Sequence, residues 1–289
     1  MKKIWVTGSK GQLGTELYEQ REKFGNFEFL FTDVKELDLT DKKKIIKFVS
    51  KRKPDFIVNC AAYTAVDRAE KEQLAAFMVN RDVPAYLAEA ASGNGSVLIH
   101  ISTDYVFDGT ASRPYTEKDS PNPISVYAKS KYAGELAALK YNRSMIIRTS
   151  WLYSKQGSNF VKTIYKLAQE KTSLNIVDDQ IGNPTSAADL ASAILNVTGK
   201  VYQVGNNYHG IFHYSNEGIC SRYEFASEII NLSGAGCTVA PIKTSQYPLP
   251  ASRPLYSALD KQKIKDVFGL KIPGWKDSLK TVLAQLTNT

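Results

Sequence analysis

Tyr127-Ala128-Lys129-Ser130-Lys131 sets a phenol and an ammonium four residues apart, which places them on one face of a helix. An unperturbed phenol titrates near about 10 and is a poor acid–base catalyst at neutral pH. A neighbouring cation stabilises the phenolate and draws that value toward the useful range. Upstream, Ser102-Thr103-Asp104-Tyr105-Val106-Phe107-Asp108-Gly109 follows an apolar run, so Thr103 falls at the end of a strand. Its hydroxyl is then placed to hydrogen-bond the substrate oxygen that Tyr127 protonates. Tyr127, Lys131 and Thr103 are therefore the expected catalytic set, with Lys131 also expected to hold the nicotinamide ribose of a dinucleotide. Singly, each feature has a plainer reading: a chance pair on a helix surface, or an ordinary hydroxyl turn after a strand.

A glycine loop supplies the matching cofactor signal. Thr7-Gly8-Ser9-Lys10-Gly11-Gln12-Leu13-Gly14 spaces three glycines between an apolar run and a helical pattern. Glycine permits the tight turn and lets backbone amides approach a pyrophosphate at a helix N-terminus. Asp33 closes the next β-rich run, 19 positions after Gly14, where a carboxylate takes ribose hydroxyls and favours NADH over NADPH. Lys35 blurs that preference, because it could take a 2′-phosphate. Asp38-Leu39 would flank the adenine, and turn chemistry is the competing reading of both aspartates.

The elements that must position these groups alternate. Strands are expected at 3–7, 27–32, 55–59, 96–102 and 144–149, with helices over 12–21, 41–52, 75–91 and 126–141 between them. That rhythm implies an α/β fold with a doubly wound parallel sheet of the Rossmann kind. Beyond Trp151 the rhythm changes, with helices expected near 159–170, 188–197, 222–232, 260–267 and 275–286 and a strand at 174–177. The expected division is a dinucleotide-binding domain of 1–150 plus about 172–205, and a smaller substrate-binding lobe of 151–171 plus 206–289. The lobe would lie over the carboxyl edge of the sheet, where ligands of open α/β sheets sit.

Composition narrows the function classes. Hydrophobic residues make up 43% and charged ones 23%, the mix of a soluble globular chain. No apolar stretch is long enough to span a bilayer, and the apolar run before Gly8 is too short for a signal peptide. Three widely spaced cysteines, Cys60, Cys220 and Cys237, form neither a disulfide framework nor a CxxC zinc site, so a reducing cytoplasm is expected. The net charge of +8 comes without a nucleic-acid motif. Its densest run, Lys42-Lys43-Lys44, reads as a solvated helix face, and a phosphate-bearing substrate accounts for the excess. Membrane and nucleic acid are not expected partners. His209 and His213 have helical metal-ligand spacing, but Gly210 and the β-rich Ile211-Phe212 argue against a helix there.

Together these segments carry a family resemblance. Gly11-Gln12-Leu13-Gly14, Asn59-Cys60-Ala61-Ala62-Tyr63-Thr64-Ala65-Val66-Asp67, Ser102 to Gly109, Arg148-Thr149-Ser150-Trp151, Asn159-Phe160-Val161-Lys162-Thr163, Asp179 to Thr185 and Ser252-Arg253-Pro254 resemble the extended short-chain dehydrogenase/reductases. Within that superfamily the sequence is similar to the dTDP-4-dehydrorhamnose reductase family over nearly its whole length. The resemblance implies NADPH or NADH as cofactor and reduction of the C4 keto group of a dTDP-linked sugar. It further implies that Gly11, Gln12, Leu13, Asp33, Asp38, Leu39, Ala62, Tyr63 and Thr64 line the dinucleotide. Thr103, Asp104 and Trp151 would contact the sugar nucleotide, and Arg253 would pair with its diphosphate. In some members a Mg²⁺ links two subunits through carboxylates, for which Glu16 and Asp189 are the corresponding positions and a homodimer the implied assembly. One departure is Ala128, where the family usually has glycine; its methyl would press toward the cofactor. Against the dehydratases of the same superfamily, which carry an Asp-Glu pair after the Thr, the pair here is Asp104-Tyr105, so the second carboxylate is missing.

Overall fold

The computed structural model describes residues 1–205 and 208–287. In chain order the elements are β1 (Lys2–Thr7), α1 (Gln12–Gln20), β2 (Phe27–Thr32), α2 (Lys42–Arg52), β3 (Phe56–Asn59), α3 (Val66–Ala69), α4 (Gln73–Phe77), α5 (Val83–Asn94), β4 (Val97–Thr103), α6 (Val126–Ala138), β5 (Ser144–Thr149), β6 (Leu152–Tyr153) and α7 (Phe160–Glu170). They continue with β7 (Ser173–Val177), β8 (Ile181–Gly182), β9 (Thr185–Ser186), α8 (Ala187–Val204), β10 (Gly210–His213), β11 (Cys220–Ser221), α9 (Arg222–Ser233), β12 (Thr238–Ile242), α10 (Gln262–Phe268) and α11 (Trp275–Thr287).

Six strands form a parallel sheet in the order β10-β5-β4-β3-β1-β2. Both faces are covered, and the strand residues divide between them with period two. Ile4, Val6, Val58, Ile99 and Ile147 pack beneath α1 and α8, while Trp5, Ile57, Leu98 and Ile146 pack against α2 and α5. The strand order reverses direction between β1 and β3. Loops leaving the carboxyl ends of those two strands therefore diverge and leave a crevice. The glycine loop follows β1 and Cys60–Thr64 follows β3, so sheet topology alone sets the two segments on opposite sides of that crevice.

A second apolar cluster lies outside the sheet. Tyr153, Val161, Ile164, Phe225, Ile229, Trp275, Leu279 and Leu283 draw α7, α9 and α11 together. This packing redraws the expected division in two places. Ser173–Val177, assigned to the dinucleotide-binding part, pairs in parallel with β12 beside this cluster. Gly210–His213 and α10, assigned to the smaller lobe, instead pack on the large sheet, where β10 extends β5 and Ile264 and Phe268 join the main core. The reason is combinatorial: short strands declare no partner in sequence, and any free sheet edge satisfies their backbone groups. Asn206, Asn207 and the last two residues of that expected lobe lie outside the described residues.

The long helix expected over 75–91 is also broken up. Between α4 and α5, Met78–Asp82 widens into a π turn, a feature that gathers at functional sites. It carries Asn80, whose side chain reaches both the 62–64 segment and α6. Asn80 Nδ2 donates to the Tyr63 carbonyl at 3.0 Å and to Ser130 Oγ at 2.9 Å, and Asn80 Oδ1 accepts from the Tyr63 amide at 2.9 Å.

Candidate active site

The glycine loop is shaped by contacts that exclude side chains. Gly8 has φ +61°, and a β-carbon on Gly14 would stand 2.4 Å from the Gly8 carbonyl oxygen. Only glycine allows α1 to start this close to β1. Below the loop, Thr7 Oγ1 donates to Asn59 Oδ1 at 2.7 Å, and Asn59 Nδ2 meets His100 Nδ1 at 2.9 Å, a buried polar chain that ties β1, β3 and β4 together. Gln12 anchors the loop to the second cluster: its Oε1 accepts from Asn159 Nδ2 at 2.9 Å and Ser154 Oγ at 3.2 Å.

Two adjoining cavities open from this loop. The smaller, about 310 Å³, is lined by Gly8, Gly11, Asp33, Asp38, Leu39 and Ala62 among others, and additionally by Val34, Leu37, Val79 and Val83. Those four apolar residues make a slot for a flat ring, and sequence reasoning missed them because they come from two segments more than forty residues apart, the loop after β2 and the π turn leading into α5. Asp33 uses both oxygens locally, accepting from the Lys10 amide at 2.9 Å and the Val34 amide at 2.8 Å. Asp38 likewise accepts from the Thr40 amide and hydroxyl. Both aspartates thus show the turn chemistry that competed with the ligand reading, and both still line the slot. Tyr63 does not line either cavity. Its hydroxyl donates to Glu72 Oε2 at 2.6 Å, so this segment offers Ala62 and Thr64 instead.

The larger cavity, about 640 Å³, brings Gly8, Gly11, Gln12, Leu13, Gly14, Thr103, Asp104, Tyr127, Lys131 and Trp151 into one wall. Two further residues, Tyr105 and Arg222, line it and were not singled out from sequence for roles. Helix α6 is pinned at both ends. Ser125 Oγ caps it by accepting from the Ala128 amide, and Glu135 forms a fully buried ion pair at 2.7 Å with Arg148 of β5. Tyr127 and Lys131 are therefore fixed relative to the strand ends. Ala128 is fully buried and faces away from the cavity, so its methyl spares the cofactor seat.

Electrostatics corrects one expectation. Burial raises the Tyr127 phenol above its ordinary value, with Asp104 and Tyr105 adding to the rise and the hydrogen-bonding Thr103 hydroxyl opposing it. Lys131 does not bring the phenol down in this state. Its ammonium donates to the Ile101 carbonyl at 2.6 Å, and burial lowers it to about 8. Desolvation of two groups in a dry wall outweighs their helical spacing. Asp104 is pushed up to about 6 by burial, despite accepting from Thr103 Oγ1 at 3.1 Å.

Trp151 takes a left-handed backbone conformation, φ +45°, costly for a bulky residue and tolerated where the surroundings hold it. Arg253 lies bound to Asp67 through two parallel bonds of 3.0 and 2.7 Å. Glu16 of α1 is buried and its carboxyl is raised, chiefly by desolvation, with Asp189 contributing. Asp189 already accepts from Asn216 Nδ2 at 2.8 Å. Two carboxylates, one engaged, are too few oxygens for a hard divalent ion, so this chain by itself does not fit a Mg²⁺ site. No cluster of three or more His, Cys, Asp or Glu residues suited to a metal occurs among the described residues. His213 is instead a buried strand residue whose Nδ1 meets the Tyr115 carbonyl at 3.1 Å.

With this geometry in hand, the comparisons with known proteins are decisive. The family model described as "RmlD substrate binding domain" matches residues 1–288. The chain belongs to that family. A dTDP-4-dehydrorhamnose reductase of Aggregatibacter actinomycetemcomitans is 40% identical, covering 98% of this chain and 99% of the relative. The spore coat polysaccharide biosynthesis protein SpsK of Bacillus subtilis is also 40% identical, covering 99% and 98%. Among solved structures, a dTDP-4-dehydrorhamnose reductase from Clostridium acetobutylicum superposes with a TM-score of 0.92 at 42% identity over 99% of each chain. One from Bacillus anthracis, in complex with NADP, gives 0.91 at 37% identity, covering 99% of this chain and 100% of that one. Among the described residues no helix is long and apolar enough to cross a membrane.

Proposed function

We propose that this protein is an NAD(P)H-dependent reductase that converts dTDP-4-dehydro-L-rhamnose to dTDP-L-rhamnose. The observation that carries the reading is the convergence of Thr103, Tyr127 and Lys131 with the glycine loop in one cavity, in a chain whose near full-length relatives bear that name. The two joined cavities suit a dinucleotide: the apolar slot beside Asp33 takes the adenosine end, and the glycine loop that lines both cavities at Gly8 and Gly11 takes the pyrophosphate. When bound, the reduced nicotinamide supplies the hydride that reaches C4.

The chain's own residues handle the proton and the orientation. Tyr127, held protonated by burial, gives its proton to the C4 oxygen as that oxygen gains charge. Thr103 shares the hydrogen bond and fixes the direction of the carbonyl. Lys131 is a charge within the same wall that lowers the cost of leaving a phenolate behind. Asp104 and Trp151 bound the sugar. A cytoplasmic site of action follows from this cofactor and substrate. The family's homodimer would need carboxylates of a second copy to complete any Mg²⁺ shell around Glu16 and Asp189, and no step of the chemistry is routed through it.

The rival on the same fold is an epimerase or dehydratase, whose cofactor is regenerated in each turnover. Tyr105 occupies the cavity position where a dehydratase needs its second carboxylate. The test is absorbance at the reduced-nicotinamide band with dTDP-4-dehydro-L-rhamnose, for NADH and NADPH separately. Stoichiometric oxidation with dTDP-L-rhamnose as product is expected. Turnover of the sugar without net oxidation would hand the protein to the rival reading.

A further inference from the structure

Two arginines flank Tyr105, Arg222 in the wall of the larger cavity and Arg253 beside it, and they are in opposite electrostatic situations. Arg253 is matched by Asp67: both carboxylate oxygens are bonded, and the ion pair holds the carboxyl below its ordinary range. It also donates to the Ala251 carbonyl at 2.8 Å, leaving little of its fork free. Arg222 has no carboxylate within ion-pair distance among the described residues. It is the first residue of α9, and a reciprocal cap fixes that helix end: Ser221 Oγ accepts from the Glu224 amide at 3.0 Å, and Glu224 Oε2 accepts from the Ser221 amide at 2.7 Å. The guanidinium lies 3.6 Å from the centroid of the Trp151 ring and 5.0 Å from that of Phe160. Gly182 also packs against the indole, where a β-carbon would stand 2.8 Å from the ring.

Trp151 is thus packed against both a glycine and a cation. That arrangement gives its left-handed backbone a purpose: the indole is a shelf that holds a guanidinium plane flat at the cavity wall. Stacking uses the face of the guanidinium and leaves its N–H edge, part of which meets the Tyr105 hydroxyl, at the cavity wall, and that edge matches phosphate oxygens two at a time. Its ionisable neighbours are Asp104 and Tyr105. Asp104, the acid facing Arg222, is itself pushed up to about 6 by burial. Tyr105, whose hydroxyl faces both Arg222 and Arg253, is neutral. The half-buried guanidinium has no carboxylate at ion-pair distance among the described residues, and an arriving dianion supplies the counter-charge.

We propose that Arg222, presented on the Trp151 indole, is the residue that receives the diphosphate of the nucleotide-linked substrate, and that Arg253 instead braces the wall through Asp67. This rests on the substrate class proposed above. It departs from the role that family resemblance implies for Arg253.

The experiment compares binding of dTDP and thymidine by calorimetry to the wild-type protein, Arg222→Gln, Arg222→Lys and Arg253→Gln, with NADPH binding as the check that each variant is folded. Loss of a charge-assisted bidentate contact is expected to weaken dTDP by about 10- to 100-fold in Arg222→Gln, with thymidine and NADPH unchanged. Arg222→Lys keeps the charge without the fork or the stacking and should lose part of that. In turnover, KM for the keto sugar should rise while kcat holds, the mark of binding shared by ground and transition states. Equal loss of dTDP and thymidine, or a dTDP-specific loss in Arg253→Gln and not in Arg222→Gln, would overturn the assignment. So would a wild-type protein that binds dTDP no better than thymidine. If Arg222→Gln fails to bind NADPH, Arg222→Lys carries the test, and undiminished dTDP affinity there overturns the proposal. A wild-type protein that prefers dTDP but does not reduce the sugar leaves the Arg222 seat standing and removes only the proposed reaction.

Discussion

The crevice has two sides built on different principles. The cofactor side is made of backbone: Gly8, Gly11, Gly14 and Ala62 offer amides and the absence of side chains, on loops that follow directly from β1 and β3. The substrate side is made of side chains from distant segments: Asp104, Tyr105, Trp151 and Arg222, assembled where β4, β5 and α9 come together. The first side needs steric permission, which a short stretch of sequence can encode. The second needs charges and rings to meet, which only packing arranges. Tyr127 and Lys131 stand on the boundary, on a helix whose ends are tied to both sides.

Variants on the two sides should therefore fail differently. The largest effect is expected at the boundary: Tyr127→Phe should lower kcat by about 10²- to 10⁴-fold with little change in melting temperature. Turnover close to wild type in a steady-state assay would remove Tyr127 as the proton donor. On the backbone side, Gly14→Ala forces a methyl against the Gly8 carbonyl and Ser9. Overpacking of this kind costs about 1–3 kcal/mol, so melting temperature and dinucleotide affinity should fall together. An unchanged melting curve would mean that the loop relaxes freely and the two sides are not so different.

A pH profile sharpens the boundary. The buried Lys131 sits at about 8, below the ordinary lysine value, so rising pH strips its proton early. Tyr127 is displaced upward and stays protonated throughout that range. Because kcat/KM reports the free enzyme, it should fall above about pH 8 through loss of the Lys131 charge. A flat profile to pH 10 would detach the ammonium from the chemistry. The smallest expected effect lies at the far end of the cofactor side. Asp33→Ala removes an acceptor worth roughly 1 kcal/mol and should shift the NADPH:NADH ratio of kcat/KM about five-fold toward NADPH. No shift would leave Asp33 with its turn role alone, as the acceptor for Lys10 and Val34.

Much of the fold was legible because its signals are local. Strands of the parallel sheet read as apolar runs, since both faces are buried, and Ile4–Val6, Ile57–Val58 and Leu98–Ile99 sit there as expected. The strand-loop-helix with its glycines, and the Tyr and Lys four apart on α6, were equally readable because one turn of backbone sets their geometry. The π turn at Met78–Asp82 was not, since nothing local distinguishes it from continuing helix. Its reason is tertiary: it lets Asn80 tie Tyr63 to Ser130.

By itself the sequence determined the α/β class, the glycine loop and the three residues, Thr103, Tyr127 and Lys131, that meet in one cavity, because steric permission and helical spacing are properties of neighbours along the chain. The tertiary structure alone decided which strand β10 would join, which acid would neutralise Arg253, and that Arg222 would stack on Trp151. These outcomes depend on desolvation and on partners distant along the chain, 186 residues in the case of Asp67 and Arg253, and chain order carries no trace of either.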